Sequence, residues 1–426
     1  MTLRTIQQAD LDGKTILYRS PYDIEVVDEN GDKKLVDDSR IVATIPTLKY
    51  LLEHNCKIVI LTYVGRPNGE VVEELRTGPH AKRLSELLNK PVPKLDDCVG
   101  PQVTDHIKNM QPGELVMLEN TRFHEGEVED DDEFAMELSK NGEVVVFDAF
   151  PQAHRFHASV TGIMRHLPSY AGFSFIKEVD ALSGLLENPA RPFTVIIGGA
   201  KISDKVAAIS NLYDIADMFI VGGGVANVFL KAAGKEIGSS FIEDVYVDAQ
   251  KGEKKDWVEF AKDILSRDQS TDRDLETLYE LGSQYTLHRV QYPYDLIVAD
   301  SINNPQQVKE VRSHDNDDVV PDGWAALDIG GDTQQLYRSI IAKSRTVFWN
   351  GPMGMFEDER FASGSKTVGV AMADSSAQTV IAGGDTIAAA KRYSDISRFS
   401  HISLAGGAAL EFLAGNQLPA VEMLQA

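Results

Sequence analysis

The sequence predicts an α/β protein with mostly parallel sheets. Short apolar runs rich in valine and isoleucine recur along the chain, and segments with helical periodicity lie between them. Strands buried on both faces have continuous apolar sequences, and their alternation with helices is typical of parallel sheets. The clearest runs are 15–18, 57–63, 114–118, 144–147, 194–197, 218–221, 295–299, 325–329, 346–349 and 379–382.

About ten strands are too many for one small domain, so we expect two α/β units. A chain of 426 residues with 43% apolar residues can fill more than one core. The segment 178–188 has helical character and ends at Pro189 and Pro192, so we expect it to connect the units. Other helices are expected at 41–54, 82–88, 204–213 and 333–342, and a polar loop at 268–274.

Glycine-rich turns are concentrated in the second half. They lie at 198–201, 222–224, 350–352, 383–386 and 406–408. Each turn except the one at 350–352 meets two conditions: it follows an apolar run, at 193–197, 218–221, 379–382 or 401–404, and it precedes a helix-like segment. A strand that turns through glycines into a helix offers backbone N–H groups at a positive dipole end, where an anion can bind. The repetition predicts a phosphorylated ligand.

The named phosphate-binding motifs are absent from the sequence. No Gly-x-Gly-x-x-Gly opens a helix after a strand, and no Gly-x-x-x-x-Gly-Lys-Ser/Thr occurs. By motif, the chain is therefore neither a classical dinucleotide-binding protein nor a P-loop NTPase.

The composition limits the partners and the compartment. A net charge of −23 argues against nucleic acid and anionic membranes, which both attract basic surfaces. The acidic stretch 127–133 is expected to be a solvated loop. Cys56 and Cys98 fit a reducing compartment, and neither a signal peptide nor an apolar run of 18 residues is present. We expect a cytoplasmic protein that binds neither nucleic acid nor membranes.

Arginines take the place of glycine turns in the first half. Arg66, Arg122 and Arg155 each follow a predicted strand, and Arg40 lies at an expected helix start. The carboxyl edge of an open α/β sheet is where ligands bind. One such arginine would more often form a surface ion pair. Three strand-end arginines favour a small, doubly anionic ligand, because guanidinium groups match carboxylate and phosphate oxygens.

Several other polar residues have two possible roles. His154 and His157 have a spacing that suits zinc, but no third ligand is near, so anion binding or packing is favoured. Lys201 and Lys205 would share one helix face if a helix has begun there, and could then neutralise phosphate. Asp385 could reach a nucleotide-bound Mg²⁺ or cap a helix.

Taken together, these segments resemble phosphoglycerate kinases over about residues 14–420. The shared motifs include Gly-Arg-Pro at 65–67, Leu-Glu-Asn-Thr-Arg-Phe at 118–123 and Gly-Gly-Ala-Lys-Ile-Ser-Asp-Lys at 198–205. All of the matching segments occur in the order typical of the family; the others are 37–41, 148–150, 153–159, 222–227, 321–324, 348–357, 383–386 and 405–408. The resemblance implies a glycolytic enzyme that transfers a phosphoryl group reversibly between 1,3-bisphosphoglycerate and ADP, giving 3-phosphoglycerate and ATP.

The resemblance also implies a domain plan. The chain would form two Rossmann-like domains, each with three layers and a mostly parallel sheet. The two domains would face a cleft and be joined by a helix. The domain 1–175, completed by about 407–426, would bind 3-phosphoglycerate or 1,3-bisphosphoglycerate. The segment 176–189 would be the connecting helix, and 190–406 would bind ATP or ADP with Mg²⁺. We expect a monomer.

The residues implied for the site fall into three sets. The substrate-binding set is Asp23, Arg40, Tyr63, Arg66, Arg122, His154 and Arg155. The nucleotide-binding set is Lys201, Lys205, Asn350, Glu357, Gly383, Gly384, Asp385 and Thr386, with Asp385 as the Mg²⁺ ligand. The catalytic set is Arg40, Lys201, Gly384 and Gly407, which would supply charge and backbone amides to the moving phosphoryl group.

The sequence departs from the family pattern mainly on the substrate side. Pro21 replaces a carboxylate that should hold substrate hydroxyls, Asp23 replaces an amide, and Tyr63 replaces a histidine. The other departures are Phe147, Pro151-Gln152, Ala326 and Leu404-Ala405. An alternative is therefore a degenerate member that binds nucleotide or a protein partner without efficient turnover of 3-phosphoglycerate. A nicotinamide-dependent oxidoreductase is disfavoured because the glycine fingerprint is missing.

Overall fold

The computed structural model describes residues 1–29, 32–247, 254–268, 275, 279, 287–312 and 320–426. Its contacts divide the chain into two compact units. The first unit comprises 1–183 and 416–426, and the second comprises 184–415. Each unit has an α/β core of its own.

The first unit is organised by a parallel five-stranded sheet. The strands of this unit are β1 (Thr15–Arg19), β2 (Val26–Glu29), β3 (Asp32–Leu35), β4 (Lys57–Leu61), β5 (Leu115–Met117), β6 (Val144–Phe147) and β7 (Ser169–Ala171). The sheet has the order β5-β4-β1-β6-β7 with parallel pairing throughout, and β2 and β3 form a separate antiparallel hairpin. The central strands β1, β4 and β6 are almost entirely buried, which explains their continuous apolar sequences.

Helices follow these strands along the chain. They are α1 (Ser39–Glu53), α2 (Gly78–Leu88), α3 (Pro101–Asn109), α4 (Asp132–Ser139), α5 (Ile163–His166) and α6 (Phe173–Glu187). The core between the sheet and its helices includes Ile16, Tyr18, Leu48, Ile58 and Leu84. One π-helical turn, Ala158–Gly162, precedes α5.

The second unit contains a larger parallel sheet. Its strands are β8 (Phe193–Ile197), β9 (Met218–Val221), β10 (Val245–Val247), β11 (Lys254–Asp256), β12 (Val290–Gln291), β13 (Asp295–Ala299), β14 (Val308–Arg312), β15 (Ala325–Ile329), β16 (Thr346–Asn350), β17 (Gln378–Ala382) and β18 (His401–Ser403). The six-stranded sheet has the order β12-β9-β8-β16-β17-β18 and is parallel throughout. A three-stranded antiparallel sheet, β14-β13-β15, and the hairpin β10-β11 complete the described strands.

The helices of the second unit cover its core. They are α7 (Val206–Tyr213), α8 (Gly223–Ala232), α9 (Trp257–Asp268), α10 (Gly331–Lys343), α11 (Ser363–Asp374), α12 (Gly384–Tyr393) and α13 (Gly407–Leu413). The last helix, α14 (Pro419–Met423), belongs to the first unit, where the Ala420 N–H donates to the carbonyl of Ala153. Short 3₁₀ turns lie at Ile6–Gln8, Glu73–Leu75, Thr121–Phe123, Glu125–Glu127, Phe150–Gln152, Glu359–Phe361 and Ile396–Arg398.

The predicted α/β architecture with parallel sheets is confirmed, and a strand lies at each of the ten predicted runs. The units divide inside α6, so the helix expected at 178–188 is present but begins earlier, at Phe173. The chain returns to the first unit at 416, later than the expected 407, because α13 packs on α7. The loop expected at 268–274 begins where α9 ends, and its residues 269–274 lie outside the described residues.

Across the described part of the chain, none of the helices has both the length and the apolar character that crossing a membrane requires.

A buried histidine in the first unit makes its stability depend on pH. His80 lies in α2 with no exposed surface, its Nε2 donates to the carbonyl of Ile24 at 3.0 Å, and its Nδ1 has no hydrogen-bond partner among the described residues. Burial lowers the pKa of His80 from 6.5 to about 4. Below pH 6.5, the pKa of His80 in the unfolded chain, the unfolded chain binds a proton at this histidine that the folded chain does not. The free energy of unfolding therefore decreases as the pH drops from 6.5 towards 4.

We expect His80→Gln to flatten the acid side of the stability profile. The glutamine amide can still donate to Ile24, but it does not titrate. At about 1.36 kcal/mol per pKa unit, the pH-dependent loss removed by the substitution is about 3 kcal/mol between pH 6.5 and 4. Urea unfolding over this pH range measures the effect. His106→Gln, at an exposed position in α3, is the control, and equal profiles for the two variants would contradict the assignment.

Candidate active site

Four parallel strands of the second unit end at one cavity of about 320 Å³. The turns after β8, β16, β17 and β18 form its wall. The lining residues are Gly199, Ala200, Lys201, Asp204, Lys205, Asn350, Gly351, Pro352, Gly383, Gly384, Asp385, Thr386, Gly406 and Leu410. Four of the five glycine-rich turns noted in the sequence therefore meet at this cavity.

Hydrogen bonds between the turns fix the shape of this cavity. The Asn350 side-chain amide donates to the carbonyl of Ala382 at 2.7 Å, and the Gly351 N–H donates to Thr386 Oγ1 at 2.7 Å. The Gly199 N–H donates to the carbonyl of Pro352, also at 2.7 Å. These bonds join the ends of β8, β16 and β17, so the turns are held in place by the protein itself.

The N-terminus of α12 is part of the cavity wall. The helix begins at Gly384, after Gly383 with a φ of 98°, a left-handed conformation that glycine adopts readily. Asp385 is therefore the second helical residue, and the expectation that it caps the helix is wrong because Gly383 occupies the cap position. The exposed Asp385 carboxylate lies beside the positive end of the helix dipole.

Both predicted lysines line the cavity, but they do not share a helix face. Helix α7 begins only at Val206, so residues 201–205 form a turn and the helical geometry considered for the two lysines is wrong. Lys205 is buried, and its Nζ donates to the carbonyl of Lys201 at 3.0 Å. Burial lowers the pKa of Lys205, although the nearby Asp204, Asp385 and Glu243 oppose the shift. Lys201 is exposed.

Of the predicted nucleotide-binding and catalytic residues that belong to the second unit, Glu357 and Gly407 are not among the residues lining the cavity. Glu357 is exposed in the segment after β16. Gly407 begins α13 and adjoins Gly406, which does line the cavity. The fifth glycine turn, 222–224, packs against the other loops, because a Cβ at Gly224 would lie 2.3 Å from the carbonyl oxygen of Ala200.

In the first unit, the predicted anion-binding residues follow strands that share one edge. The strands β1, β4, β5 and β6 are parallel neighbours, so their carboxyl ends lie on the same side of the sheet. Asp23 follows β1, Arg66 follows β4, Arg122 follows β5 and Arg155 follows β6. Arg66 and Arg155 are exposed, and Arg122 is half-buried.

A chain of hydrogen bonds joins two of the arginines. Arg40, in the first turn of α1, donates from Nη1 to the backbone carbonyl of Asp23 at 2.6 Å. The Asp23 carboxylate accepts the Gly65 N–H at 2.9 Å, and the Gly65 carbonyl accepts Arg122 Nη1 at 2.6 Å. Asn120 reinforces the link, since its side chain bonds both backbone groups of Val64. Asp23 thus organises the arginine loops through a fixed bond to Gly65.

Sequence reasoning missed a buried charged cluster beneath these loops. Arg19 in β1 is fully buried, and its Nε donates to Ser159 Oγ at 3.1 Å. Glu127 is also fully buried and accepts the Ser159 hydroxyl at 2.6 Å. Burial opposes ionisation of Glu127, but His157, Arg19 and Ser159 outweigh it and hold its pKa below the ordinary value.

The expectation that 127–133 is a solvated loop is therefore wrong at its first residue. It is also incomplete further on, because Asp131 accepts the Phe134 N–H at the start of α4 and Asp130 pairs with Arg165. The contacts of Glu127 and Asp130 span more than thirty residues, and the local sequence carries no signal of them.

The histidines after β6 differ in environment. Burial, with the nearby Arg155 and His157, lowers the pKa of His154 to about 4, so this ring is neutral at pH 7. His157 is buried with its Nδ1 3.6 Å from Glu127 Oε1. Among the described residues, the one group of three potential metal ligands within reach of one another is Asp97, Cys98 and His124, and it includes neither histidine.

Comparison with known proteins identifies the family. A family model for phosphoglycerate kinase matches residues 6–416. The phosphoglycerate kinase of Moorella thermoacetica is 40% identical over 426 residues, which span 100% of this chain and 99% of that protein. This chain belongs to the phosphoglycerate kinase family.

Solved structures agree with this assignment. The phosphoglycerate kinase of Coxiella burnetii has a TM-score of 0.81 and 34% identity, and that of Pyrococcus horikoshii has a TM-score of 0.80 and 32% identity. Each comparison covers 99% of this chain and 98% of the other. The chain is therefore a phosphotransferase with a carboxyl group as acceptor, and the predicted glycolytic function is confirmed. Nothing in the comparisons favours the degenerate alternative.

Several departures from the phosphoglycerate kinase pattern are packed into the core. Pro21 is buried, and the buried Tyr22 hydroxyl hydrogen-bonds Thr44 Oγ1 at 2.6 Å. Phe147 packs edge-on against Phe175, with their ring centroids 5.4 Å apart. Pro21 and Phe147 are therefore buried in the first unit, near the ends of two different strands of its sheet.

Proposed function

We propose that the second unit binds Mg-ADP or Mg-ATP in the cavity at the ends of β8, β16, β17 and β18. The observation that carries this proposal is the convergence of four glycine-rich turns with Lys201, Lys205 and the N-terminus of α12. Backbone N–H groups and two ammonium groups suit a phosphate chain. In this assignment Asn350, Gly383, Gly384 and Thr386 shape the cavity, and Glu357 contacts the nucleotide outside it.

The donor set of this cavity fits a nucleotide-bound magnesium ion. Magnesium binds one or two carboxylates together with phosphate oxygens, and Asp385 supplies one exposed carboxylate beside both lysines. We assign Asp385 as the protein ligand. When bound, Mg²⁺ neutralises phosphate charge and so lowers the cost of moving a phosphoryl group.

The first unit, in this proposal, binds 3-phosphoglycerate or 1,3-bisphosphoglycerate. Arg40, Arg66, Arg122 and Arg155 supply the cations, and the hydrogen-bonded link through Asp23 and Gly65 sets the positions of Arg40 and Arg122. Neutral His154 can donate to or accept from the substrate, and Tyr63 belongs to the set through the contact of its ring with Arg122. Guanidinium groups match both the carboxylate and the phosphate of this substrate.

The chemistry that follows is an in-line phosphoryl transfer. A carboxylate oxygen of 3-phosphoglycerate attacks the γ-phosphorus of ATP, and the bond from that phosphorus to the β-phosphate oxygen breaks, with its electron pair leaving on ADP. No base is required, because the attacking carboxylate is already ionised. Arg40 and Lys201 balance the charge on the transferring group, and the amides of Gly384 and Gly407 add dipole stabilisation.

We also propose that the enzyme acts as a monomer in the cytoplasm. The two cysteines of the sequence, Cys56 and Cys98, are free thiols buried in the first unit, and reduced thiols are typical of that compartment.

Activity with ATP, Mg²⁺ and 3-phosphoglycerate in a coupled assay tests the proposed function. Restoring the family pattern with Pro21→Asp and Asp23→Asn tests the substrate assignment. It should tighten 3-phosphoglycerate binding by about tenfold, or about 1.4 kcal/mol, because it restores a hydroxyl acceptor and removes a like charge. An asparagine Oδ1 can still accept the Gly65 N–H. Calorimetric titration should show little change for Mg-ADP.

Because Pro21 is buried, Asp23→Asn alone is titrated beside the double variant, and melting temperatures identify any loss of folding. A change in nucleotide affinity equal to that for 3-phosphoglycerate would contradict the assignment of the substrate to the first unit. No measurable turnover by the unmodified protein would contradict the proposed reaction.

A further inference from the structure

Tyr63 contacts two arginines through its ring. It follows β4 and is only 4% exposed. The guanidinium carbon of Arg122 lies 3.6 Å from the ring centroid, and that of Arg19 lies 4.8 Å from it. Attraction between a cation and an aromatic face is strongest where water is excluded, as it is at this ring. One aromatic side chain therefore contacts a buried arginine of the strand and a proposed substrate-binding arginine.

Hydrogen bonds alone leave the Arg122 side chain incompletely held. Its Nη1 donates to the Gly65 carbonyl, whereas its buried Nε has no hydrogen-bond partner among the described residues. Arg19 is held more fully, since its Nε bonds Ser159 and its Nη1 bonds the carbonyl of Ser20. A single hydrogen bond to the Gly65 carbonyl leaves the guanidinium group of Arg122 free to rotate. The contact with the Tyr63 ring restricts this rotation.

The ring, and not a charge on Tyr63, makes these contacts. Burial raises the pKa of the Tyr63 hydroxyl, although Arg19 and Arg122 oppose the shift. The phenol is therefore neutral at pH 7. Burial lowers the pKa of the Arg19 guanidinium, and the carboxylates of Glu127 and Asp23 are among the groups that oppose this shift. Tyr63 can consequently pack against two cations without being an ion-pair partner.

We propose that Tyr63 is a positioning residue that fixes the plane of the Arg122 guanidinium for the anionic substrate. The inference rests on the proposed function, in which Arg122 binds 3-phosphoglycerate. On this proposal the ring is the part of Tyr63 that matters, and it acts through Arg122. A residue implied by the family resemblance to bind the substrate thus acts one step away from it.

Kinetics of two Tyr63 variants test the inference. Tyr63→Leu removes the ring and keeps an apolar side chain, so the KM for 3-phosphoglycerate should rise about tenfold, as loss of a desolvated cation–π contact predicts. The KM for Mg-ATP should not change, and kcat should change less than KM. Tyr63→Phe keeps the ring and should recover most of the lost affinity. A Phe variant as impaired as the Leu variant would overturn the proposal, because the hydroxyl would then be the essential group.

A double-mutant cycle shows whether Tyr63 acts through Arg122. On an Arg122→Lys background, the ring has lost its planar partner, so Tyr63→Leu should change the KM for 3-phosphoglycerate by less than about twofold. Additive effects of the two substitutions would overturn the proposal. If Tyr63→Leu does not fold, as its melting temperature would show, Tyr63→Met replaces it as a flexible ring-free variant.

The same data separate this inference from the proposed function. If Arg122→Lys alone leaves the KM for 3-phosphoglycerate unchanged, the assignment of Arg122 to the substrate fails, and this inference fails with it. If Arg122→Lys raises that KM while Tyr63→Leu does not, the substrate assignment stands and only the positioning role of Tyr63 is overturned.

Discussion

Replacing Arg40 by alanine is expected to lower turnover by about 100-fold, since loss of a preorganised charge contact to a transition state has this size. Arg40 lies in the first turn of α1, where a cation is opposed by the positive end of the helix dipole. A residue that disfavours its own helix but is held by Asp23 fits a role in binding an anion. Because the proposed contact of Arg40 with the transferring group is strongest in the transition state, kcat should fall more than substrate affinity.

Steady-state kinetics with saturating ATP and 3-phosphoglycerate measure this loss. Lys49→Ala is the matched control, because Lys49 is an exposed cation on the same helix and belongs to none of the proposed sets. The melting temperature of Arg40→Ala should change little, since the substitution removes both an unfavourable helix–charge interaction and the hydrogen bond to Asp23. Near-normal turnover in Arg40→Ala would show that another group balances the charge on the transferring phosphoryl group.

The sequence was most informative about strands that are buried on both faces. The runs that became β4, β6, β8 and β16 are continuous and apolar because no face of these strands meets water. By contrast, β14 is almost fully exposed and has the sequence Val-Lys-Glu-Val-Arg, so no apolar run predicted it. The hairpin β2-β3 was missed for the same reason, since β2 is also largely exposed.

The sequence predicted those parts of the candidate site whose residues form a recognisable local motif. Glycine turns after apolar strands predicted the cavity of the second unit, because parallel strands bring their carboxyl ends to one edge. Arg19 carried no such signal, since a single charged residue at the end of an apolar run does not reveal its burial. The partners that stabilise it, Ser159 and Glu127, lie more than a hundred residues away. Only the tertiary structure shows that these groups meet.

Adding one methyl group at Gly198 is expected to disable the proposed nucleotide-binding cavity of the second unit. Gly198 directly follows β8, and its N–H donates to the carbonyl of Asn350 at 2.8 Å. A Cβ at this position would lie 2.2 Å from the carbonyl oxygen of Pro352 and 2.6 Å from that of Gly351. Both atoms belong to the backbone, so the turns after β8 and β16 must move apart. A displacement of about 1 Å in catalytic geometry can cost about 100-fold in rate, and we expect a loss of that order for Gly198→Ala.

Calorimetric titration of Mg-ADP and of 3-phosphoglycerate into Gly198→Ala shows where the damage lies. Nucleotide affinity should fall while 3-phosphoglycerate affinity is retained, because the displaced turns belong to the second unit. Overpacking also destabilises, so the melting temperature should drop by several degrees. Gly331→Ala is the control: it adds the same methyl at the start of α10, where the nearest atom beyond its neighbours is Glu310 Oε1 at 3.5 Å. Gly198→Ala with a lowered melting temperature but ordinary Mg-ADP affinity would show that the turns around this cavity hold the unit together without binding the nucleotide.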